Sequence, residues 1–481
     1  MVSLSASDIA RLCGGSLRSG GGSLRSGGGD LVLSHFELDS RRVTPGGLFV
    51  CIRGERADGH DHWPDAAAHG AAAAITSRDL PVGIVPQVEI RVEDTALALR
   101  RLAAAVRAAR DWTVIGITGS VGKTTTKELA FMALGGRARA ARSPGNFNNL
   151  FGLPLAILNA PEVSALVLEM GISTPGEMAA LAALARPEIA VITAIAATHT
   201  EFLGDEAGVL REKRNILGTA GQGGARVLVY NHDDARLREL ANTLTIETIG
   251  CGFTEGAQVR GIEFTQRDGH LELRADYRGA REAFALSGAG RALALDLLLA
   301  LGVASACGIS AADAQAGLGY YQPGPGRGQL VPLAPGIRAL DESYNASPAA
   351  IRESFATLQE LAQATGARRR IAVLGDMFEL GARAPALHAE LAVPARAANV
   401  DLLLGCGPLM RGLCDSFSAA GGAARHYDSA EAAGADARTA GLLAPGDLLL
   451  LKGSRGMRVE KFIPAYTGSA PGTSGKGGGA C

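Results

Sequence analysis

The chain has 481 residues, too many for one hydrophobic core, and this length predicts about three domains. Its 47 basic and 48 acidic residues give a net charge of −1, which argues against nucleic acid or an anionic membrane surface as a partner. With no apolar run near the ~20 residues of a membrane span, no signal-peptide pattern and seven irregularly spaced cysteines, the composition predicts a cytoplasmic protein with reduced thiols.

Residues 1–93 predict a small α/β domain. Strand-like apolar runs occupy residues 48–52 and 71–76. A seven-residue sequence, Ser-Leu-Arg-Ser-Gly-Gly-Gly, occurs twice without a gap at residues 16–29. Its short length and glycine content predict an expanded surface loop rather than a part of the core.

Residues 94–319 predict a second, central α/β domain. A helix at 95–109 leads to a buried strand at 112–115. Helical segments separate the next strands, which lie at residues 165–168, 189–193 and 226–230. This alternation is typical of a mostly parallel sheet with helices on both faces.

A third domain is predicted at residues 320–466, and the segment 319–327, with its Pro-Gly-Pro-Gly cluster at 323–326, indicates a hinge between domains. Its apolar strands alternate with helical segments and lie at residues 370–374, 401–404 and 447–451. The pattern predicts a Rossmann-like α/β domain. The glycine-rich tail at 467–481 predicts disorder.

The most informative motif is Gly-Ile-Thr-Gly-Ser-Val-Gly-Lys-Thr-Thr-Thr-Lys at 116–127, between a strand and a helix. Gly119 and Gly122 let backbone N–H groups surround phosphate oxygens. Lys123 supplies positive charge and Thr124 offers a hydroxyl to Mg²⁺. The strict pattern has one more glycine, but Gly-Lys-Thr in this context favours a phosphate-binding loop over an ordinary turn. The chain therefore handles a nucleoside triphosphate.

Polar residues follow the strands of the central sheet, at the edge where ligands of open parallel sheets bind. Glu169 follows the strand at 165–168, and His199 lies six residues after Thr193. A carboxylate and an imidazole near Thr124 could form a Mg²⁺ site, although alone Glu169 could cap a turn and His199 could be an ordinary loop histidine. Three amides precede Glu169: Asn146, Asn148 and Asn149.

Lys213 is the most unusual residue near this edge. In a predicted helix at 206–219, apolar residues lie three and four positions away from it, namely Val209, Leu210, Ile216 and Leu217. The lysine therefore points inward with the apolar face. A buried lysine is unfavourable unless it is paired or chemically modified, but the pattern is equally compatible with a buried stem whose amine reaches solvent.

Together these residues resemble the Mur ligase family, the ATP-dependent ligases of peptidoglycan synthesis. The resemblance covers nearly the whole chain apart from the tandem repeat and the tail. Motifs at 39–49 and 58–60 resemble the UDP-sugar-binding domain of the last two ligases in the pathway. Motifs at 341–348, 375–381 and 452–455 resemble the member that adds D-alanyl-D-alanine, and the Asp-Asn-Pro-Arg signature of the preceding member is absent.

The resemblance implies an amide ligase that uses ATP, two Mg²⁺ ions and a carbamylated Lys213. The γ-phosphate would pass to the terminal carboxylate of UDP-N-acetylmuramoyl-tripeptide, and the amine of D-alanyl-D-alanine would then displace phosphate from the acyl phosphate. Positioning and charge neutralisation carry such a reaction. The implied catalytic residues are Lys123, Glu169, His199 and Lys213, and the implied metal ligands are Thr124, Glu169 and His199.

The resemblance also implies a nucleotide-binding set and a substrate-binding set. The nucleotide-binding set is Thr118, Gly119, Ser120, Gly122, Lys123, Thr124, Thr125, Arg327, Asp341, Tyr344 and Asn345. The substrate-binding set is Ser40, Arg41, Asn146, Asn148, Asn149, Lys452 and Arg455. Lys452 and Arg455 could equally be solvated surface charges.

The chain departs from the family at two places. Residues 193–196 read Thr-Ala-Ile-Ala and lack the usual Asn, and residues 288–294, Gly-Ala-Gly-Arg-Ala-Leu-Ala, lack the Asn and His residues of the adenine side. The alternatives are an amide ligase of the folylpolyglutamate type, which lacks the N-terminal module, or a scaffold that binds UDP-muramoyl peptide with little catalysis. We expect a monomer, because no coiled coil or exposed apolar helix demands a partner.

Overall fold

The computed structural model describes residues 3–19, 30–54, 57–198, 200–218, 223–267 and 269–468. His199, most of the tandem repeat and most of the predicted disordered tail lie outside these residues. The described residues form α/β sheets that follow one another along the chain, which confirms the predicted fold class. Within the described part of the chain, no helix is long and apolar enough to cross a membrane.

The N-terminal part is built on a mixed sheet. Its elements are β1 (Leu4–Ser5), α1 (Ala6–Cys13), β2 (Ser16–Ser19), β3 (Val32–Leu33), β4 (Phe36–Glu37), β5 (Leu48–Val50), α2 (Trp63–Ala68), β6 (Ala73–Thr76) and β7 (Val88–Arg91). The strand order is β2-β7-β6-β5-β4, and β1 pairs separately with β3. The pairs from β7 to β4 are parallel, and β2 is antiparallel to β7.

The structure corrects the loop prediction for the first residues of the tandem repeat, because Ser16–Ser19 form β2. Leu17 is half-buried and packs against the N-terminal core, whereas Ser16 and Arg18 are exposed. Side chains on a strand alternate between its two faces, so Ser-Leu-Arg-Ser suits an edge strand. The adjacent glycines concealed this alternation in the sequence.

The central part carries the phosphate-binding loop. It begins with α3 (Thr95–Ala108), β8 (Thr113–Thr118), α4 (Lys123–Ala133), β9 (Ala140–Arg142), α5 (Gly152–Leu158), β10 (Ala165–Glu169), α6 (Glu177–Ala185), β11 (Ile189–Ile192), α7 (Thr200–Leu203) and α8 (Glu206–Lys213). It continues with β12 (Val227–Asn231), α9 (Ala235–Asn242), β13 (Glu247–Gly252), β14 (Val259–Arg267), β15 (His270–Tyr277), β16 (Ala280–Ser287), α10 (Arg291–Ala306) and α11 (Ala311–Leu318).

The central sheet has the strand order β16-β15-β14-β13-β12-β11-β8-β10-β9. Its pairs are parallel from β9 to β14, as the alternation of strands and helices predicted. The antiparallel pairing of β14, β15 and β16 was not predicted. In β15 every second side chain is buried, so the signal of a half-buried strand was present in the sequence.

The C-terminal part is a second, largely parallel sheet. Its elements are β17 (Gln329–Ala334), β18 (Ile337–Asp341), α12 (Pro348–Thr365), β19 (Arg369–Gly375), α13 (Ala384–Ala389), α14 (Ala392–Ala397), β20 (Leu402–Cys406), α15 (Met410–Ala419), β21 (Ala423–Tyr427), α16 (Ala430–Thr439), β22 (Asp447–Lys452) and α17 (Phe462–Thr467). The strand order is β17-β18-β22-β19-β20-β21, and β17 is antiparallel. α17 includes Thr467, which the sequence assigned to the tail.

Apolar packing fixes the position of the phosphate-binding loop. Ile115 and Ile117 on β8 share a core with Leu129 on α4 and Leu297 on α10. Each fully buried Leu or Ile stabilises the fold by roughly 1.5–3 kcal/mol, so α4 and α10 are held firmly on the same face of the sheet. The loop between β8 and α4 therefore lies at the carboxyl edge of the central sheet.

Candidate active site

Close packing requires glycine at two positions of the phosphate-binding loop. A Cβ atom at Gly119 would lie 1.8 Å from Thr193 Oγ1, and one at Gly122 would lie 2.4 Å from Asp296 Oδ1. Gly122 also has φ of +82°, a conformation that favours glycine. The loop is thus wedged between the end of β11 and α10, and its backbone faces the cleft.

Two lysine side chains meet inside the loop. Lys123 Nζ donates to the carbonyl oxygen of Gly119 at 2.8 Å, and Lys213 Nζ donates to the same oxygen at 3.0 Å. Lys213 is only 2% exposed, so it points inward and its amine does not reach solvent. The α-helix ends at Lys213 and continues as a 3-10 turn at Arg214–Leu217, instead of one helix at 206–219.

Burial controls the charge of both lysines. It lowers the pKa of Lys123, which the nearby Glu169 carboxylate partly offsets. Burial lowers the pKa of Lys213 well below its usual value, and the charge of Lys123 lowers it further. Lys213 therefore loses its proton more readily than an exposed lysine, and it lies next to Lys123 of the phosphate-binding loop.

Glu169 ends β10 and is held by three neighbours at the cleft. Thr124 Oγ1 donates to Glu169 Oε2 at 2.7 Å, and Asn148 Nδ2 donates to Glu169 Oε1 at 3.0 Å. The backbone N–H of Glu169 donates to Ser143 Oγ at 3.1 Å. The side chain is oriented toward the phosphate-binding loop and is almost fully buried.

The three predicted amides have different surroundings. Asn148 reaches Glu169, as described above. Asn149 Oδ1 accepts hydrogen bonds from the backbone N–H groups of Phe151 and Gly152 at 3.1 and 2.9 Å, so it caps the start of α5. Asn146 lies on the cleft wall and offers its carbonyl oxygen to Asn148 N–H at 2.7 Å.

The C-terminal part forms the opposite wall of a cleft of about 710 Å³. Arg327 stacks on Tyr344 with its Cζ 3.7 Å from the ring centroid, and Arg455 lies 5.8 Å from the same ring. Lys452 is buried and donates to Glu342 Oε2 at 3.1 Å. Lys452 is therefore a paired charge on the cleft wall rather than a solvated surface lysine.

The remaining predicted residues fall into three groups. Ser120, Thr125 and Asn345 line the cleft. Asp341 is buried, and its Oδ1 accepts from Ser343 N–H at 3.1 Å. The adjacent Glu342, rather than Asp341, lines the cleft as described. Thr118 is buried at the end of β8, and its hydroxyl has no hydrogen-bond partner among the described residues.

Ser40 and Arg41 belong to the N-terminal part, and they do not line this cleft as described. Ser40 Oγ donates to Asp65 Oδ2 at 2.5 Å. Arg41 is exposed and donates twice to Asp39, at 2.8 and 2.7 Å. Both side chains are thus paired with neighbouring carboxylates of the N-terminal part.

Backbone contacts occupy the two places where the chain departs from the family pattern. Ser120 Oγ donates to the carbonyl oxygen of Ala196 at 3.0 Å and accepts from its N–H at 2.9 Å. Gly290 N–H donates to Gln266 Oε1 at 2.8 Å. Small and apolar side chains at 288–294, including Ala292, line the cleft beside it.

Sequence reasoning missed two buried charged residues near the loop. Asp296 on α10 accepts from Thr126 Oγ1 at 3.0 Å, and burial raises its pKa well above the usual value. Lys127 on α4 is completely buried and pairs with Glu169. The available signals were a lone aspartate in an apolar helix and a second lysine one turn after Lys123.

Family models match the chain in order. "Mur ligase family, catalytic domain" matches residues 33–107, "Mur ligase middle domain" matches 117–304, and "Mur ligase, glutamate ligase domain" matches 326–455. The UDP-N-acetylmuramoyl-tripeptide–D-alanyl-D-alanine ligase of Bacillus subtilis is 30% identical over 470 residues, which cover 96% of this chain and 98% of that protein. The ligase of the same name from Escherichia coli is 31% identical over 474 residues, covering 97% and 98%.

Solved structures agree with these matches. The MurF ligase of Thermotoga maritima in complex with ADP has a TM-score of 0.76 and 28% identity, covering 90% of this chain and 97% of that one. MurF from Acinetobacter baumannii, 24% identical, shares the fold with a TM-score of 0.83, covering 97% and 99%. Together with the phosphate-binding loop, these matches show an ATP-dependent amide ligase. The chain belongs to the Mur ligase family.

Proposed function

We propose that this chain joins D-alanyl-D-alanine to the terminal carboxylate of UDP-N-acetylmuramoyl-tripeptide in the cytoplasm, as a monomer. The observation that carries the proposal is its end-to-end similarity to ligases of that name, at 30% and 31% identity over 96% and 97% of the chain. ATP phosphorylates the carboxylate, the dipeptide amine attacks the acyl phosphate, and an amide, ADP and phosphate result. The predicted domain at 1–93 would bind the UDP-sugar peptide, the domain at 94–319 would bind ATP, and the domain at 320–466 would bind the incoming dipeptide.

Lys123 would hold the β- and γ-phosphates of ATP. Its ammonium now donates to the carbonyl oxygens of Gly119 and Ser120, at 2.8 and 3.4 Å. Phosphate oxygens are stronger acceptors than carbonyl oxygens, so bound ATP would take over these bonds. The backbone N–H groups of the loop and the start of α4 would add further donors.

The donors beside this loop suit Mg²⁺. Thr124 Oγ1 and Glu169 Oε2 are oxygen atoms 2.7 Å apart at the cleft, and Mg²⁺ prefers oxygen ligands. Mg²⁺ commonly binds through one or two carboxylates together with substrate phosphates and water. Two Mg²⁺ ions would neutralise phosphate charge there, and we propose His199 as a further ligand.

Lys213 is suited to carbamylation. Reaction with CO₂ needs a neutral amine, and burial lowers the pKa of Lys213 well below its usual value. The amine nitrogen would form a bond to the CO₂ carbon and release one proton. The resulting anion would lie near the Lys123 ammonium and would attract it.

The C-terminal wall would close on the nucleotide and the dipeptide. Arg327, Tyr344 and Asn345 line the cleft and are proposed to contact the nucleotide. Lys452 and Arg455 lie on the same wall and are proposed to contact the dipeptide or phosphate. Asp341 would support this wall from behind, and Ser40 and Arg41 would contact the UDP-sugar peptide together with the amides of the 143–149 loop.

A phosphate-release assay tests the proposal. With ATP, Mg²⁺, UDP-N-acetylmuramoyl-tripeptide and D-alanyl-D-alanine, phosphate release should require both peptide substrates and should be lost in Lys123→Ala. Lys461→Ala is the matched control, because Lys461 is a partly exposed lysine paired with Glu431. Tight binding of the UDP-peptide without turnover would favour the scaffold, and release driven by a folate substrate would favour the folylpolyglutamate type. Tripeptides with diaminopimelate and with lysine should both be assayed.

A further inference from the structure

Lys127 is a completely buried charged residue one helical turn after Lys123. Its Nζ donates to the carbonyl oxygen of Gly145 at 3.0 Å. The same nitrogen lies 3.3 Å from Glu128 Oε1 and 3.7 Å from Glu169 Oε2. A buried ammonium is strongly unfavourable without such partners, so their arrangement around Lys127 is specific.

Charges of opposite sign alternate in a row that ends at the active site. Arg142, on the edge strand β9, pairs with Glu128 at 2.5 Å, and Glu128 pairs in turn with Lys127. Lys127 then pairs with Glu169, which is 3% exposed. Lys127 thus forms an ion pair with the Glu169 carboxylate, which also lies near Lys123.

Lys127 also connects three segments of the chain. It belongs to α4, it binds the 143–149 loop through Gly145, and it pairs with Glu169 at the end of β10. The same loop provides Asn148 Nδ2, which donates to the other oxygen of Glu169 at 3.0 Å. Lys127 thus lies near Glu169 Oε2 and Asn148 donates to Glu169 Oε1, so each residue restrains a different oxygen of the carboxylate.

We propose that Lys127 is a positioning residue, which orients the Glu169 carboxylate toward Thr124 and holds the 143–149 loop against α4. It acts through Glu169 and does not contact the reacting atoms. The inference rests on the proposed role of Glu169 at a Mg²⁺ site. Groups that orient a metal ligand in this way typically change metal affinity or activity about 10–100-fold when they are removed.

Arg142 provides a matched control for a purely structural role. It belongs to the same row of charges, shares the partner Glu128 and stacks on Phe131 at 4.0 Å. It is separated from Glu169 by Glu128 and Lys127. If the row of charges only stabilises the fold, both Arg142→Met and Lys127→Met should lower the melting temperature, and both should bind metal as tightly as the wild type.

The test compares Lys127→Met, Lys127→Gln and Arg142→Met with the wild type. Methionine keeps most of the length of the side chain without its charge, and glutamine, one atom shorter than lysine, keeps an uncharged N–H donor. Mn²⁺ binding in the presence of ADP is measured by electron paramagnetic resonance, and the Mg²⁺ dependence, kcat and KM of the ligase are measured in parallel. We expect both Lys127 variants to bind Mn²⁺ about tenfold more weakly and to lose kcat by a similar factor, with Arg142→Met within about twofold of the wild type.

Three results would overturn the inference. A folded Lys127→Gln or Lys127→Met with Mn²⁺ affinity and kcat within about twofold of the wild type would exclude positioning. If Arg142→Met lost as much Mn²⁺ affinity as the Lys127 variants, the effect would belong to the whole row of charges and not to Lys127. Failure of both Lys127 variants to fold would make the lysine a structural residue. Mn²⁺ binding with ADP needs no peptide substrate, so absent ligase activity in the wild type would instead contradict the proposed function.

Discussion

The two ends of the nucleotide cleft are built from different kinds of contact. At the phosphate end, charged and hydroxyl side chains bind one another and the loop over 2.7–3.0 Å, as Lys123, Thr124 and Lys213 show. At residues 288–294, which we propose as the base side of the nucleotide site and call the base-side wall, alanine and leucine side chains line the cleft, and the Gly290 N–H donates to Gln266.

This difference predicts where the enzyme is sensitive to substitution. Charged contacts in a water-poor site stabilise a transition state strongly, because little surrounding solvent weakens them. A wall of small apolar side chains selects mainly by shape, and a change of a few methyl groups alters binding by only about 1–3 kcal/mol. The phosphate end should therefore determine the rate, and the base-side wall should determine the affinity.

The largest effect is expected from Lys123→Ala. Removing the ammonium should lower kcat on the order of 10³-fold, because the phosphate charge is then no longer neutralised in the transition state. Phosphate release under saturating ATP measures it, and Lys461→Ala should match the wild type. A variant that keeps a tenth or more of the activity would show that another cation carries this role.

The second-largest effect is expected from Lys213→Ala, which should lower kcat on the order of 10²-fold. If a carbamate on this lysine supplies a negative charge, a short carboxylic acid such as acetate should restore part of the activity to the alanine variant. Chloride at the same concentration is the control for ionic strength. Full activity in Lys213→Ala would mean that the buried amine only supports the Gly119 carbonyl.

A bulkier base-side wall should have a smaller and different effect. Ala292→Leu should raise the KM for ATP about fivefold and leave kcat within about twofold, because the change affects bound substrate and transition state equally. Steady-state kinetics with ATP as the varied substrate measure this. An equal fall in kcat would contradict the comparison, since the base-side wall would then also control the rate.

The smallest effect is expected far from both ends of the cleft. The two copies of Ser-Leu-Arg-Ser-Gly-Gly-Gly are identical, so deleting either one leaves a segment that can form β2 beside β7. Activity and melting temperature should then change little. Deleting both copies should lower the melting temperature by several degrees, because the edge strand and the packing of Leu17 are lost. Thermal unfolding distinguishes the two deletions.

Much of the fold was predictable because its signals are local. Apolar runs separated by helical segments predicted that β8, β10 and β11 belong to a mostly parallel sheet, and the glycine pattern predicted the loop before α4. The strand β2 and the antiparallel strands β15 and β16 were missed. Their stability comes from pairing with strands elsewhere in the chain, and a short half-polar strand resembles a loop when its partner is unknown.

The candidate site shows the same limit. The spacing of its apolar neighbours predicted that Lys213 points inward, and the structure places its amine on the Gly119 carbonyl. Lys127 follows the same motif, but the sequence does not state that a carboxylate 42 positions later would lie 3.7 Å from its amine. Asp341 and Glu342 are adjacent, and only the turn after β18 decides which of them faces the cleft.

The sequence by itself determined the phosphate-binding loop, the alternation of strands and helices and the family of the chain. These depend on residue type at fixed spacing, which backbone geometry converts directly into local structure. The tertiary structure alone decided which buried charges pair with one another, as Lys127 and Glu169 do, and which part of the cleft is lined by alanine and leucine side chains. Such contacts join segments far apart in the chain, and their energies depend on distance and burial, which spacing does not specify.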